Sequence, residues 1–205
     1  MLLHVNPNRM ELIKLKKRLI VAKRGYKLLK DKRDALIQKY IQLVKEDKII
    51  REEVEEKLMK GYSIFSNATS LMSEITLEET LMFPKAKSFI EIDFTNIMSV
   101  NVPKYKYIGE GNYYTYSLIE TAAELDHALR NFYEILPLML KLAELEKAVS
   151  LLADEIEKTR RRVNALEYIL IPDLENTIKF ITMKLDEIAR SAISAIMRIK
   201  EIIRA

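Results

Sequence analysis

The sequence predicts an all-α protein: a long antiparallel two-helix coiled coil, with a small β-hairpin or loop region where the chain folds back. Three observations predict it. Only 4 Gly and 5 Pro occur in 205 residues, while charged residues of both signs make up 31%, a composition that favours long helices over a compact mixed fold. Two long stretches carry apolar residues at alternating +3 and +4 steps, the signature of a seam that must meet another helix. Between them lies a segment rich in β-branched and aromatic residues. The chain therefore divides into a first long helix over 1–73, a middle segment over 74–120 with a short helix and a hairpin, and a second long helix over 121–205.

The first helix begins near Met10. Its seam runs Leu12, Leu15, Leu19, Ala22, Tyr26, Leu29, Arg33, Leu36, Tyr40, Leu43, Asp47, Ile50 and Val54, apolar except at Arg33 and Asp47. The pattern weakens after Gly61, and the stretch over 44–62 is too imperfect to be satisfied by its own partner helix alone. Residues 1–40 hold 12 Lys+Arg against 3 Asp+Glu, so this end is basic and suits an acidic partner.

In the middle, "LEETLMFPK" reads as the end of a short helix. "KSFIEIDFTNIMSVNVPKYKYIGEGNYYTY" over 87–116 alternates in part, with Phe89, Glu91 and Asp93 on one face and Ile90, Ile92 and Phe94 on the other. Pro84 and Pro103 oppose helix, and "GEG" at 109–111 marks a turn. Tyr105, Tyr107, Tyr113, Tyr114 and Tyr116 cluster here, interleaved with Lys104 and Lys106. That pattern could stack bases, but packing within a small hairpin is the preferred reading.

The second seam runs Leu142, Leu145, Val149, Leu152, Ile156, Thr159, Val163, Leu166 and Leu170, then Leu174, Ile178, Ile181, Leu185, Ile188, Ala192, Ala195, Ile199 and Ile202. Some 80 residues of helix would span roughly 120 Å at ~1.5 Å per residue. Across Pro172 the spacing is 166, 170, 174, 178, three +4 steps in succession. Such a departure from the heptad unwinds a supercoil locally, and proline removes a backbone donor and crowds the carbonyl of Tyr168. The two signals together predict a bend near 172, not a helix end. Fold-back pairing sets Gly25 near Pro172, where a missing side chain would let the helices approach. Arg160, Arg161 and Arg162 flank the seam positions Thr159 and Val163. The same register sets them opposite residues 32–34, so an internal bridge to Asp31 or Asp34 is expected ahead of a basic collar that touches a neighbour.

Several kinds of chemistry are missing. No cysteine is present, which excludes disulfides and thiol catalysis and fits a reducing compartment. No apolar run reaches the ~18 residues of a membrane span, and the first residues are too charged for a signal peptide. A soluble intracellular protein is expected. Neither a P-loop nor a G-x-G-x-x-G motif occurs. His4 and His127 lie far apart, with His127 read as a helix-surface residue. No catalytic residue, cofactor site or metal site is expected.

Two stretches point further. "VNPNRMELIKLKKRLIVAKRGYKLLKDKRDALI" (5–37) and "EKTRRRVNALEYILIPDLENTIKFI" (157–181) closely resemble the two signature blocks of the D subunit of V-type and A-type ATPases. The resemblance covers nearly the whole chain and is weakest over 74–118. Asn8 stands where the family often has Thr, and Tyr26 where it often has His; neither disturbs the seam. What the resemblance implies is the central-stalk rotor shaft of an ATPase or ATP synthase, on the cytoplasmic side of a membrane. It also implies that the end with both termini enters the ring of catalytic A and regulatory B subunits. Another region would bind the F subunit and the adaptor (C/d type) on the membrane ring, and the middle hairpin would bear on the rate of hydrolysis. No nucleic acid and no membrane insertion are implied. Candidate partner contacts are Arg9, Lys16, Lys17, Arg160, Arg161, Arg162 and Ile202; candidate bend residues are Gly25 and Pro172. The competing readings are a prefoldin-like coiled-coil chaperone and a coiled-coil nucleic-acid binder. Such chaperones are shorter and grip with exposed apolar tips, whereas the terminal end here is basic. The lysines are too spread for the binder.

Overall fold

The computed structural model describes residues 6–82, 86–111, 114, 116–117 and 121–204. Pro84, His4 and Tyr113 lie outside the described residues. In chain order the elements are helix α1 (Arg9–Leu71), helix α2 (Glu74–Leu81), strands β1 (Lys87–Ile97) and β2 (Val100–Glu110), helix α3 (Ala123–Ala165), a π-helical turn (Leu166–Leu170) and helix α4 (Ile171–Arg204). The fold is mostly α, of long antiparallel helices in coiled-coil pairing with a small β-hairpin. The chain forms two compact units, residues 1–35 with 156–205, and residues 36–155.

In the first unit, Leu15 and Ala22 of α1 form a core with Leu174 and Ile181 of α4, flanked by Leu12, Leu19, Leu170, Ile178 and Leu185. Lys23 Nζ lies 2.7 Å from Glu175 Oε1, an exposed pair across the two helices. Every predicted seam residue of α4 as far as Leu185 is buried or half-buried. Thr177 is polar yet buried, and its hydroxyl donates to the Asp173 carbonyl at 2.7 Å, so it adds no unpaired polar group to the seam.

The π-helical turn revises the expected bend. The N–H of Ile171 donates to the carbonyl of Leu166, five residues back instead of four. Val163 and Ile178 are fifteen residues apart, one more than two heptads. A π-turn inserts one residue, so the extra residue is housed there and the seam stays in register. Pro172 follows immediately, where the regular bonding pattern is already broken and a missing donor costs least.

In the second unit, α1 and α3 run antiparallel. Arg51 lies 2.5 Å from Glu146, and further along Gly61 meets Phe132. An added Cβ at Gly61 would sit 3.2 Å from that ring, while one at Gly25 would meet nothing within 4 Å. The close approach made possible by glycine is therefore at Gly61. Gly25 sits in open space, contrary to expectation, although Lys23 beside it does reach Glu175 beyond Pro172. Phe132 is held edge-on by Tyr62 and Phe65, with centroids 5.6 and 6.2 Å away, a favoured aromatic geometry.

Ser73 starts α2 as its N-cap, accepting the Thr76 N–H at 3.2 Å, as side-chain caps do. The hairpin is tighter than expected. Its turn is Met98–Ser99, with φ 52° and 73°; of "GEG", Gly109 lies inside β2 and Gly111, with φ 98°, turns the chain just beyond it. Two left-handed residues match the twist of paired strands, but neither is glycine, which costs energy. Asn96 offsets it: its Oδ1 accepts the Ser99 N–H at 3.0 Å, and its Nδ2 donates to Asn101 Oδ1 at 2.8 Å.

Candidate partner interface

The surface offers four features that could meet another protein. The first is the end of α4. Residues 186–204 are exposed throughout, although the apolar period of the seam continues through them. Ile188, Ile196, Ile199 and Ile202 are each more than half exposed. The reason is length: α1 begins at Arg9, and the groove lined by Arg9, Leu12 and Ile13 ends against Leu185, Asp186 and Ala189. Beyond that rung α4 continues for about 22 Å at ~1.5 Å per residue, with an apolar stripe no described residue covers.

The second feature is the basic terminal end. Arg9, Lys16 and Lys17 are exposed on α1. Arg160, Arg161 and Arg162 are exposed as well, while Thr159 and Val163 beside them are buried. Arg161 bonds to Glu157 on its own helix, and Asp34 is bonded by its neighbour Arg33 at 2.7 Å. Among the described residues none of the triplet reaches Asp31 or Asp34, so the expected internal bridge does not form. The helix itself already sets Glu157 one turn from Arg161, at i−4, and that local pairing wins over one that must bridge two helices.

The third feature lies along α1 in the second unit, where Ile41, Ile49, Met59 and Tyr62 are exposed. Between them the surface is held by helical ion pairs, Lys57 with Glu53 and Lys60 with Glu56, each at 2.6 Å. The Lys60 hydrogen bond and charge hold the Glu56 carboxyl below its ordinary pKa. Asp47 occupies the seam, with its Oδ1 buried and unpartnered and its Oδ2 3.7 Å from Arg51.

The hairpin is the fourth. It rests on α3: the Tyr105 N–H donates to Glu144 Oε2 at 3.2 Å, and Tyr107 meets Tyr133 edge-on at 6.2 Å. Tyr116 bonds to Asp126. The side chains of Tyr107 and Tyr116 are thus both engaged by α3. Pro103 pairs with Phe94, a non-bonded position in this register, where proline's missing N–H points off the strand edge. Glu144 and Gly61 had no signal in the heptad pattern, because one meets a strand and the other contributes no side chain.

His127 is exposed on α3, as expected. Among the described residues no helix is long and apolar enough to cross a membrane. A family model that describes the D subunit of ATP synthase matches residues 11–201. The V-type ATP synthase D subunit of Thermoanaerobacter sp. (strain X514) is 57% identical over 204 residues, covering 98% of each chain. That of Clostridium novyi (strain NT) is 52% identical over 97% of this chain and 94% of its own, and that of Fusobacterium nucleatum is 49% identical over 98% and 97%. A match this deep over nearly the full length, on a helical pair with the hairpin in its middle, carries one conclusion: the chain belongs to the family of ATP synthase D subunits.

Proposed function

We propose that this chain is the central-stalk rotor component of a V/A-type ATPase or ATP synthase. It couples rotation in the A/B catalytic ring to proton or sodium translocation by the membrane ring, and ATP is bound by partner subunits. The observation that carries the reading is the uncovered end of α4, a seam that continues in sequence where its own partner helix has ended. Such a stripe must be buried by something else, and a collar of ring subunits around the terminal end suits it. The basic side chains of α1 toward that end, Arg9, Lys16 and Lys17, would face acidic loops of that collar, and Arg160 to Arg162, about 40 Å further from it at ~1.5 Å per residue, would meet loops deeper along the shaft. The apolar residues along α1 from Ile41 to Tyr62 would meet the F subunit, and the adaptor of the membrane ring would bind at the end away from the termini. The complex would stand on the cytoplasmic side of the membrane, with this chain peripheral.

The mechanism needs only differential contact. An asymmetric shaft favours a different state at each catalytic site, and turning it moves that pattern around the ring. The shaft distinguishes sites because its two helices differ, α4 alone carrying the π-turn and the overhang. The chaperone reading has no comparable support, since relatives named as ATP synthase components match from end to end. Co-expression with cognate A, B and F subunits tests the proposal. The expected result is one size-exclusion peak containing all four, and a separate F-bound pair when A and B are withheld. Elution of this chain apart from F at micromolar concentration overturns it.

A further inference from the structure

We infer that the outer edge of β1 is a docking site for one added strand, an extended segment of a partner chain with Lys or Arg at alternate positions. The geometry begins at the turn. With Ile97 and Val100 closing a two-residue loop, they form a bonded pair, and bonded pairs alternate from there. The odd-numbered residues of β1 therefore bond β2. The N–H and C=O groups of Ile90, Ile92 and Phe94 point the other way, off the hairpin.

The same parity turns Tyr105 and Pro103 outward on β2, and both are dealt with. The Tyr105 N–H goes to Glu144 at 3.2 Å, and Pro103 has no N–H to offer. On β1 nothing comparable is found among the described residues; no backbone bond beyond the hairpin reaches it. Its eleven paired residues run without a bulge, and neither proline nor an outward lysine blunts its centre. Proteins usually protect an open edge by such means. The face of β1 that carries Ile90, Ile92 and Phe94 is also exposed and apolar, at 52%, 54% and 70%. An edge with free backbone groups between apolar side chains fits an added strand better than a helix.

Charge selects the occupant. Glu91 and Asp93 project from one face near the centre of β1. A second copy, paired two-fold through central registers, would set these acids against each other, which is unfavourable across strands. β2 shows what does fit: Lys104 stands opposite Asp93, and Lys106 opposite Glu91 with Nζ 3.5 Å away. A strand on the open edge would meet the same two acids from the other side, so it needs cations at positions i and i+2.

The test uses the isolated full-length chain, so its failure leaves the rotor proposal standing. Amide exchange at Ile90, Ile92 and Phe94 is followed with a peptide of alternating Lys and Val, and with a Glu and Val peptide of equal length and concentration. The Lys peptide is expected to slow exchange at these amides at least about tenfold, and the Glu peptide to leave it unchanged. Ile92→Pro is expected to abolish the effect while keeping the inward amides of Glu91 and Asp93 protected, since its site on β1 mirrors that of Pro103. Should that variant lose the hairpin, Asp93→Lys takes its place and must weaken the response to the Lys peptide. No slowing by either peptide, equal slowing by both, or protection that arises from self-association of the chain each overturns the inference.

Discussion

At the scale of single residues, the two helical glycines separate propensity from packing. Glycine in a helix interior costs ~1 kcal/mol relative to alanine. At Gly25 an added methyl meets nothing within 4 Å, so Gly25→Ala is expected to raise stability by about 0.5–1 kcal/mol. At Gly61 the methyl would press on Phe132 at 3.2 Å, and Tyr62 and Phe65 box that ring in. Overpacking costs about 1–3 kcal/mol, so Gly61→Ala is expected to be neutral or destabilising despite the same propensity gain. Urea unfolding of the two variants checks the pair, and a stabilised Gly61→Ala would show that Phe132 yields. The sequence could not tell these glycines apart. Both sit in long helical patterns, and only the identity of the residue across the seam decides whether a missing side chain is used.

At the scale of elements, the helices were legible because a seam repeats over many turns and survives an odd residue within it. All thirteen predicted seam positions of α1 are buried or half-buried in the structure, Arg33 and Asp47 included. The hairpin was legible as an element but its turn was not, since Met98 and Ser99 lack the Gly or Asn that usually marks a left-handed pair. The signal lay beside them, in Asn96 and Asn101, whose side chains brace the turn. Around Pro172 the spacing showed an anomaly but not its form. A bend and a π-turn both absorb a surplus residue, and the choice depends on backbone hydrogen bonds. If the surplus residue causes the turn, deleting exposed Ile169 while changing Pro172→Ala should leave two whole heptads from Val163 to Ile178 and an uninterrupted α-helix. Deleting Ile169 with Pro172 retained should instead cost about 3 kcal/mol, the penalty of proline inside a regular helix. Thermal unfolding of the two variants gives the difference. Equal melting points would mean that Pro172 sits in the shortened helix without cost, so that deleting the surplus residue has not restored a regular α-helix there.

At the scale of the molecule, the uncovered end of α4 makes the sharpest prediction, because folding and the assembly proposed above would draw on different lengths of the same helix. Folding uses the seam up to Leu185, the last rung packed on the first unit's core. Residues 190–204 are exposed, and truncating the chain after Ala189 removes no described packing contact. Surface changes of that kind usually move stability by no more than about 0.5 kcal/mol. The truncated chain is therefore expected to melt with the full-length chain and to bind the proposed F subunit as the full-length chain does. Its hold on the A/B ring should weaken by at least about tenfold, for want of the apolar stripe through Ile196, Ile199 and Ile202. Ile199→Lys with Ile202→Lys should do the same without shortening the helix. Charge and apolar burial can be separated in one experiment. Replacing Arg160, Arg161 and Arg162 with Gln should weaken ring binding mainly at low salt, where exposed charges are least screened. The truncation should weaken it at every salt concentration, because apolar burial is not screened. A truncated chain that still binds the ring at full strength would move the contact to the basic residues alone, and one that fails to fold would show that the overhang belongs to the core.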